Sequence, residues 1–289
     1  MSTAPIVVGV DGSDTADAAL QWAARTAAAH TAPLHLVAAL PTPVVYGGAL
    51  VASQQFYDDL DAEANRTLTA AAARAREIAP GVEVGTALHH GPPIPALLDR
   101  SESARMLVVG SRGLGAVRGA LVGSVSTALA THSRCPVVVI PTADPTPTGP
   151  VVVGVDGSPN SAPAIGAAFL EASLRTVPLV AVHAWSDVDF DTLPSAVEDL
   201  PWEGLIENEE ATLAECLAGW RERFPDVEVQ RIVVRDRAVD QLLTQSRSAQ
   251  LVVVGSHGRG GFRGMLLGST SRALLHRVER PVMIVRERR

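Results

Sequence analysis

Val8-Gly9-Val10-Asp11-Gly12-Ser13 is the stretch that decides the fold, because the chain contains it twice. It returns unchanged 145 residues later as Val153-Gly154-Val155-Asp156-Gly157-Ser158, and Gly123-Ser124 returns at the same spacing as Gly268-Ser269. Self-similarity at one fixed spacing is the signature of a duplicated domain. We therefore predict two copies of one domain, residues 1–143 and 150–289, joined by a proline-rich linker at residues 144–149.

The composition excludes several classes of protein. The 289 residues carry a net charge of −7, which argues against binding to nucleic acid or to an anionic membrane. None of the 24 basic residues is lysine, so a P-loop lysine and a Schiff-base lysine are both excluded. The chain has two cysteines, too few for a disulfide framework, and we expect a cytoplasmic protein.

Short apolar runs alternate with helical segments in both copies. Strands are predicted in the first copy at residues 6–10, 34–40, 82–88, 106–109 and 137–140, and in the second copy at residues 151–155, 179–185, 227–234, 251–254 and 282–285. Helices are predicted between them, in the first copy at residues 14–30, 53–79, 93–101 and 123–133. Short, wholly apolar strands separated by helices indicate a parallel sheet covered on both faces. Each copy is therefore predicted to be a five-stranded α/β domain.

A glycine-rich loop follows the fourth strand of each copy. It reads Gly110-x2-Gly113-x9-Gly123-Ser124 in the first copy, and Gly255, Gly258, Gly268 and Ser269 repeat it in the second. Glycines can adopt positive φ and let backbone amides approach a ligand, and the N–H groups of the helix that follows favour an anion. Hydroxyl donors are expected at the same helix starts from Ser124, Ser126, Ser269, Thr270 and Ser271. We predict a phosphate site in each copy, because a role as simple turns and caps explains less well why the loop occurs twice.

Other polar residues have two interpretations each. Asp11 and Asp156 either form a turn before the first helix or accept hydrogen bonds from a ribose or a hydrated metal ion. Arg118 and Arg263 occupy the same place in both loops and either clamp phosphates or lie solvated at the surface. The pair His89-His90 is replaced by Val234-Arg235 in the second copy, and we predict no metal site there.

The two repeated motifs resemble those of the universal stress protein family, in the ATP-binding branch and the tandem two-domain form. The resemblance implies two Rossmann-like (adenine nucleotide alpha hydrolase-like) domains with strand order 3-2-1-4-5, each binding ATP with Mg²⁺. It implies that Asp11 and Asp156 contact the ribose and that Ala39 and Ala184 lie beside the adenine. The residues implied around the nucleotides are Gly9, Asp11, Ala39, Val109, Gly110, Arg112, Gly113, Gly123, Ser124, Val125 and Ser126 in the first copy, and Gly154, Asp156, Ala184, Val254, Gly255, His257, Gly258, Gly268, Ser269, Thr270 and Ser271 in the second.

The same resemblance implies a function and an assembly. It implies an ATP-dependent regulator of the stress or dormancy response, with a downstream protein partner that the sequence does not identify. The alternative is a slow ATPase or an enzyme that transfers a nucleotidyl or phosphoryl group, but no lysine and no positioned general base are visible. The resemblance also implies pairing of the two domains through strand five, residues 136–140 and 281–285, and a homodimer. Arg112 in the first copy corresponds to His257 in the second, so the two sites are expected to differ in affinity.

Overall fold

The chain folds into two compact units, Met1–Pro145 and Thr146–Arg289. A computed structural model describes residues 4–40, 53–114, 122–141, 148–185, 202–259 and 266–286. Within these residues each unit contains five strands and four α-helices in alternation. None of the described helices combines the length and the apolar composition of a membrane span.

The first unit alternates strand and helix along its whole length. Its elements are β1 (Ile6–Gly9), α1 (Asp14–His30), β2 (Leu34–Leu40), α2 (Gln54–Ile78), β3 (Val84–His90), α3 (Pro93–Ser101), β4 (Met106–Gly110), α4 (Ser124–His132) and β5 (Val137–Ile140). Ser13 caps α1, because its hydroxyl oxygen accepts a hydrogen bond from the N–H of Ala16 at 3.3 Å.

The second unit repeats this order. Its elements are β6 (Val151–Gly154), α5 (Ala162–Arg175), β7 (Leu179–Ala184), α6 (Trp202–Arg223), β8 (Val229–Val234), α7 (Ala238–Ser246), β9 (Leu251–Gly255), α8 (Ser269–Arg277) and β10 (Val282–Val285). A short 3₁₀ turn, Pro159–Ser161, precedes α5. Proline stands at residue 159 where the first copy has Asp14, so α5 begins later than the corresponding helix α1.

The strand order confirms the predicted sheet. It is β3-β2-β1-β4-β5 in the first unit and β8-β7-β6-β9-β10 in the second, and the neighbouring strands within each unit run parallel. From β1 the chain moves first to one side, through β2 and β3, and then returns to β4 and β5 on the other side. Right-handed crossovers therefore place α1 and α2 on one face and α3 and α4 on the other, and each of these helix pairs packs together.

The third strand of each unit begins two residues later than predicted. The N–H of Val82 donates to the carbonyl of Ala79 at 3.0 Å, and the N–H of Val227 donates to the carbonyl of Phe224 at 3.2 Å. These bonds place both valines in the turn that ends the preceding helix. Their apolar side chains look like the start of a strand, but their backbone groups are used before the sheet begins.

Candidate functional site

The carboxyl ends of β1 and β4 lie side by side at the point where the strand order reverses. The two strands pair in register from Ile6 opposite Met106 to Val8 opposite Val108. The turn beginning at Asp11 and the glycine loop beginning at Gly110 therefore emerge at the same edge of the sheet. In open parallel sheets, ligands bind in the crevice formed at this point.

Asp11 joins the two segments that form this crevice. Its Oδ1 accepts hydrogen bonds from the N–H of Ser13 at 3.0 Å and from the Ser13 hydroxyl at 2.6 Å. Its Oδ2 accepts a third bond, from the N–H of Leu114 in the glycine loop at 3.0 Å. Asp11 thus forms the expected turn and also holds the loop in place. The residue is exposed, and an ionised carboxylate offers about four lone-pair sites, so acceptor capacity remains for a ligand.

Close contacts, and not backbone conformation, require glycine in this loop. The prediction of positive φ at Gly110 and Gly113 is wrong, whereas Gly12 in the neighbouring turn has φ +83°. A Cβ added at Gly110 would lie 2.7 Å from the backbone carbonyl carbon of Thr15, and one added at Gly113 would overlap Oδ2 of Asp11. The absence of a side chain lets the loop lie directly against the turn and the start of α1.

Helices α4 and α8 each have a glycine as the N-cap residue, and neither has a side-chain cap. Gly123 precedes α4 with φ −80° and ψ 163°, and Gly268 precedes α8 with φ −63° and ψ 154°. The N–H of each glycine donates back to its own loop, to Ser111 at 2.7 Å and to Ser256 at 2.8 Å. The first N–H groups of each helix therefore lack a side-chain acceptor and can bind an anion.

Two of the predicted hydroxyl donors point into the protein. The hydroxyl of Ser126 donates to the carbonyls of Gly123 at 3.0 Å and Ser111 at 3.2 Å, and that of Ser271 donates to the carbonyl of Gly255 at 2.6 Å. Both residues are buried, so they can offer a ligand only their backbone N–H groups. The other predicted donors are at least partly exposed: Ser124, Ser269 and Thr270.

The second unit forms the same crevice between β6 and β9. Asp156 accepts the N–H of Ser158 at 3.0 Å and the Ser158 hydroxyl at 2.8 Å, both at Oδ1. Its Oδ2 lies 3.0 Å from the position that a Cβ on Gly258 would occupy. The carboxylate, the glycine loop and the uncapped helix start are therefore brought together in both units.

The floor of each crevice consists of packed apolar residues. A Cβ added to Gly9 would lie 3.2 Å from Cγ1 of Val109, and one added to Gly154 would lie 3.1 Å from Cγ1 of Val254. Both valines are buried. These four residues, predicted to surround the nucleotides, therefore form the close strand-to-strand packing beneath each site.

The predicted adenine positions lie at the carboxyl ends of the second strands. Ala39 is the penultimate residue of β2 and pairs with His89, and Ala184 is the last residue of β7 and pairs with Val234. Both alanines are half-buried.

The structure shows contacts for some of the remaining candidate residues and does not describe the others. The carbonyl of Arg112 accepts hydrogen bonds from the hydroxyls of Ser13 and Thr15, while His257 Nδ1 lies 3.0 Å from the hydroxyl of its neighbour Ser256. Arg118 and Arg263 lie outside the described residues. The imidazole of His90 pairs with the carboxylate of Asp61 at 2.9 Å.

The second unit contains a polar pair that the search for residues shared by both copies did not identify. His183 on β7 is fully buried, and its Nε2 lies 2.6 Å from Oε2 of Glu209 on α6. The first copy has Ala38 and Ala64 at the corresponding positions. The signal that could have identified this pair is the set of positions at which the copies differ, because two alanines of the first copy are replaced by two titratable side chains.

The pKa of the Cys216 thiol, also on α6, is raised by its surroundings. Burial raises the pKa of its thiol, and the negative charges of Glu215 and Asp156 raise the pKa further. The thiol is therefore kept protonated, which makes it a poor nucleophile.

Comparison with known proteins agrees with the duplicated fold. The model of the Universal stress protein family matches residues 3–141 and 148–286. A universal stress protein of Mycobacterium tuberculosis strain H37Rv is 44% identical over 98% of this chain and 97% of its own length, and a second one from that strain is 42% identical over 99% and 97%. The crystal structure of a universal stress protein from Archaeoglobus fulgidus DSM 4304 has a TM-score of 0.71 over 100% of both chains at 18% identity, which shows a shared fold.

The family model covers both units, and the curated relatives are similar along nearly the whole chain. The duplication predicted from the repeated hexapeptide is thus a duplication of a known domain. The chain belongs to the universal stress protein family, as a member with two such domains.

Proposed function

We propose that the protein is an ATP-binding regulator with one nucleotide site in each unit, acting in the stress or dormancy response in the cytoplasm. The observation that carries this proposal is the repeated crevice, in which a carboxylate, a glycine loop and an uncapped helix start lie together in both units. A purely structural role for these turns would leave the presence of all three features in both units unexplained.

The phosphates would be bound mainly by backbone groups. The first N–H groups of α4 and α8 supply donors and the positive end of a helix dipole, and the exposed Ser124 and Ser269 add hydroxyls. This arrangement suits a chain without lysine, because an anion site built from amides needs no ammonium group.

The carboxylates would bind the ribose and help to hold the metal ion. Asp11 and Asp156 already accept hydrogen bonds from the turns that follow them, yet both are at least partly exposed. Their carboxylate oxygens are ligands of the type that Mg²⁺ takes when it enters with nucleotide phosphates. Because these carboxylates are fixed by their own turns, they fit a binding role better than that of a general base, and we propose a regulator and not a dedicated enzyme.

For the assembly we propose pairing along the last strand of each sheet. Each unit ends its strand order at a short apolar strand, β5 or β10, and an uncovered edge of this kind would invite uncontrolled association. Pairing of residues 136–140 with residues 281–285 would cover both edges, and we propose that two chains then form a homodimer.

The nucleotide proposal can be tested first on the unmodified protein. Protein purified under native conditions should release adenine nucleotide on denaturation, or bind Mg-ATP with one molecule per unit in a calorimetric titration. Released small molecules would be identified by mass spectrometry. A nucleotide-free preparation that gives neither heat nor a thermal shift with Mg-ATP would refute the proposal.

A charge at the helix cap should then silence one site at a time. Gly123→Asp and Gly268→Asp each place a carboxylate at an extended N-cap position, where Asp is a favoured residue. Each new Cβ lies 3.3 Å from a backbone carbonyl oxygen, so the fold should be retained with a small loss of stability. Repulsion of a phosphate about 4 Å away costs a few kcal/mol, so ATP affinity at that site should fall about a hundredfold or more. The isosteric Gly123→Asn and Gly268→Asn variants add the same volume and the same capping oxygen without the charge, so they should lose less affinity, and the difference between Asp and Asn measures the repulsion. Unchanged binding stoichiometry in the Asp variants would contradict the assignment of these helix starts to the phosphates.

A further inference from the structure

The second unit carries a group of polar side chains that the first unit lacks. We call His183, Glu209 and Arg259 the polar relay. The residues at the corresponding positions of the first copy are Ala38, Ala64 and Leu114. Three apolar residues on three separate elements are therefore replaced by a histidine, a carboxylate and a guanidinium in the unit that otherwise repeats the first.

His183 fixes the position of the carboxylate. Its side chain is fully buried, and Nδ1 lies 2.7 Å from the carbonyl oxygen of Val155, which can only accept a hydrogen bond. Nδ1 therefore carries a proton, and a second proton lies in the 2.6 Å contact between Nε2 and Oε2 of Glu209. Glu209 is thereby held beside the end of β6, next to the turn that begins at Asp156.

Arg259 reaches from the glycine loop to the same carboxylate. It follows Gly258, and its Nη2 lies 3.8 Å from Oε2 of Glu209. The guanidinium also crosses Gly157, since a Cβ added there would overlap it, and Gly157 has φ +74°. The Arg259 side chain is 47% exposed. It therefore extends over the turn that carries Asp156 and faces solvent at the opening of the crevice.

The contact between Arg259 and Glu209 is long, whereas the contact between Glu209 and His183 is short. A guanidinium has five N–H donors in a planar fork, and a single distant carboxylate leaves most of that capacity for another anion. At the position of Arg259 the first unit has Leu114, and the hydrogen bonds that the described residues show for Arg112 are made by its backbone carbonyl.

We propose that Arg259 is a specificity residue of the second unit, which contacts the additional phosphates of a nucleoside di- or triphosphate and leaves Glu209 to do so. This inference rests on the proposed nucleotide site. A single phosphate is satisfied by the N–H groups at the start of α8 and gains little from Arg259. A polyphosphate extends further and accepts a charge-assisted, bidentate pair of hydrogen bonds. The second unit thus selects ATP over AMP with a residue that the first unit does not have.

The test uses the full chain with the first site silenced by Gly123→Asp, so that binding reports on the second unit. Dissociation constants for Mg-ATP and for AMP are measured by calorimetry with and without Arg259→Leu, which installs the first unit's residue. We expect the ratio of the AMP to the ATP dissociation constant to fall about tenfold in Arg259→Leu, through weaker ATP binding, with the AMP constant unchanged within about twofold. Arg231→Leu removes the same charge from an exposed position on β8 and should leave the ratio unchanged.

The possible failures are distinguishable. If the single-site protein binds ATP and AMP but Arg259→Leu leaves their ratio unchanged, or if Arg231→Leu lowers it equally, the role of Arg259 is refuted and the nucleotide site stands. If neither the unmodified chain nor the single-site protein binds any adenine nucleotide, both the site and the inference fall. Because Arg259 is a half-exposed loop residue, Arg259→Leu should fold, and a thermal unfolding curve that matches the parent confirms it.

Discussion

The crevice of the first unit depends on the absence of side chains at single residues. Gly110 allows the glycine loop to lie against the first turn of α1, where the hydroxyl of Thr15 bonds the carbonyl of Arg112. Gly113 allows the next part of the loop to lie against the carboxylate of Asp11. The loop is therefore positioned by contacts with a turn that lies about a hundred residues earlier in the chain.

Substitution of Gly110 should therefore destabilise the first unit. In Gly110→Ala the new Cβ meets backbone of α1 at 2.7 Å, and such overpacking costs about 1–3 kcal/mol of unfolding free energy. Gly255→Ala should cost less, because its nearest contact is 3.2 Å, to the carbonyl oxygen of His257. Gly81→Ala has no heavy atom within 4 Å of the new Cβ and should change the free energy by less than about 1 kcal/mol.

Urea unfolding of the three variants measures these differences. The order of stability should be Gly81→Ala, then Gly255→Ala, then Gly110→Ala. Equal stability of Gly110→Ala and Gly81→Ala would mean that the loop can move away from α1 at no cost, and the close-contact explanation would be wrong.

At the scale of single residues, the sequence singled out the loop glycines but not the contacts that exclude a side chain there. The spacing of Gly110, Gly113 and Gly123 marks a loop near a ligand. Their usual justification, positive φ, holds for Gly12 and not for Gly110 or Gly113. A close approach between distant segments has no local sequence signal, because the atom that would clash belongs to another element.

At the scale of elements, the two units have the same strand order but different side chains at the interface between their first two helices. In the first unit α1 and α2 bury small residues, among them Ala24 and Ala75. In the second unit the corresponding positions are Phe169 and Trp220, whose rings stack with a centroid distance of 6.5 Å. A Cβ added to Gly166 of α5 would overlap the Trp220 ring, so this glycine makes room for the larger interface.

Loss of this aromatic packing should destabilise the second unit. Phe169 is fully buried and also stacks on Phe224 at 5.9 Å, so Phe169→Ala should cost about 3–5 kcal/mol of unfolding free energy. Phe169→Leu keeps most of the volume and should cost less than about 1.5 kcal/mol. Chemical denaturation would measure both values. A similar cost for the two variants would show that ring stacking, and not filled volume, stabilises the interface.

Element type and order could be predicted well because the central strands β1, β4, β5, β6, β9 and β10 are short, wholly apolar runs and the others are largely apolar. At the starts of the two third strands, hydrogen bonding and not polarity decides the boundary. Val82 and Val227 are apolar but their N–H groups close the turns after α2 and α6, so β3 and β8 begin two residues later. The late start of α5 was visible in the sequence as Pro159, but the extent of the 3₁₀ turn was not.

At the scale of the whole molecule, one repeat produces two sites with different surroundings. The shared residues, such as Asp11 and Asp156, are recognisable because they are identical in both copies. The polar relay could not be recognised in that way, since His183, Glu209 and Arg259 are far apart in sequence and have no identical counterparts. Comparison of the copies identifies both shared and differing residues, and the contacts show which of the differing residues lie together.

Ligand binding should stabilise each unit through its own site. A ligand that binds only the folded state at about 100 times its dissociation constant contributes about 2.7 kcal/mol of unfolding free energy. With Mg-ATP at that concentration, amide hydrogen exchange in the unmodified chain should slow in β1 and β4 and also in β6 and β9, the strands that end at the two crevices. In Gly123→Asp the slowing should be confined to β6 and β9, and in Gly268→Asp to β1 and β4. The neutral Asn variants control for the substitution itself. Protection of all four strands in a single-site variant would contradict separate sites, because it would mean that occupancy of one unit also stabilises the other.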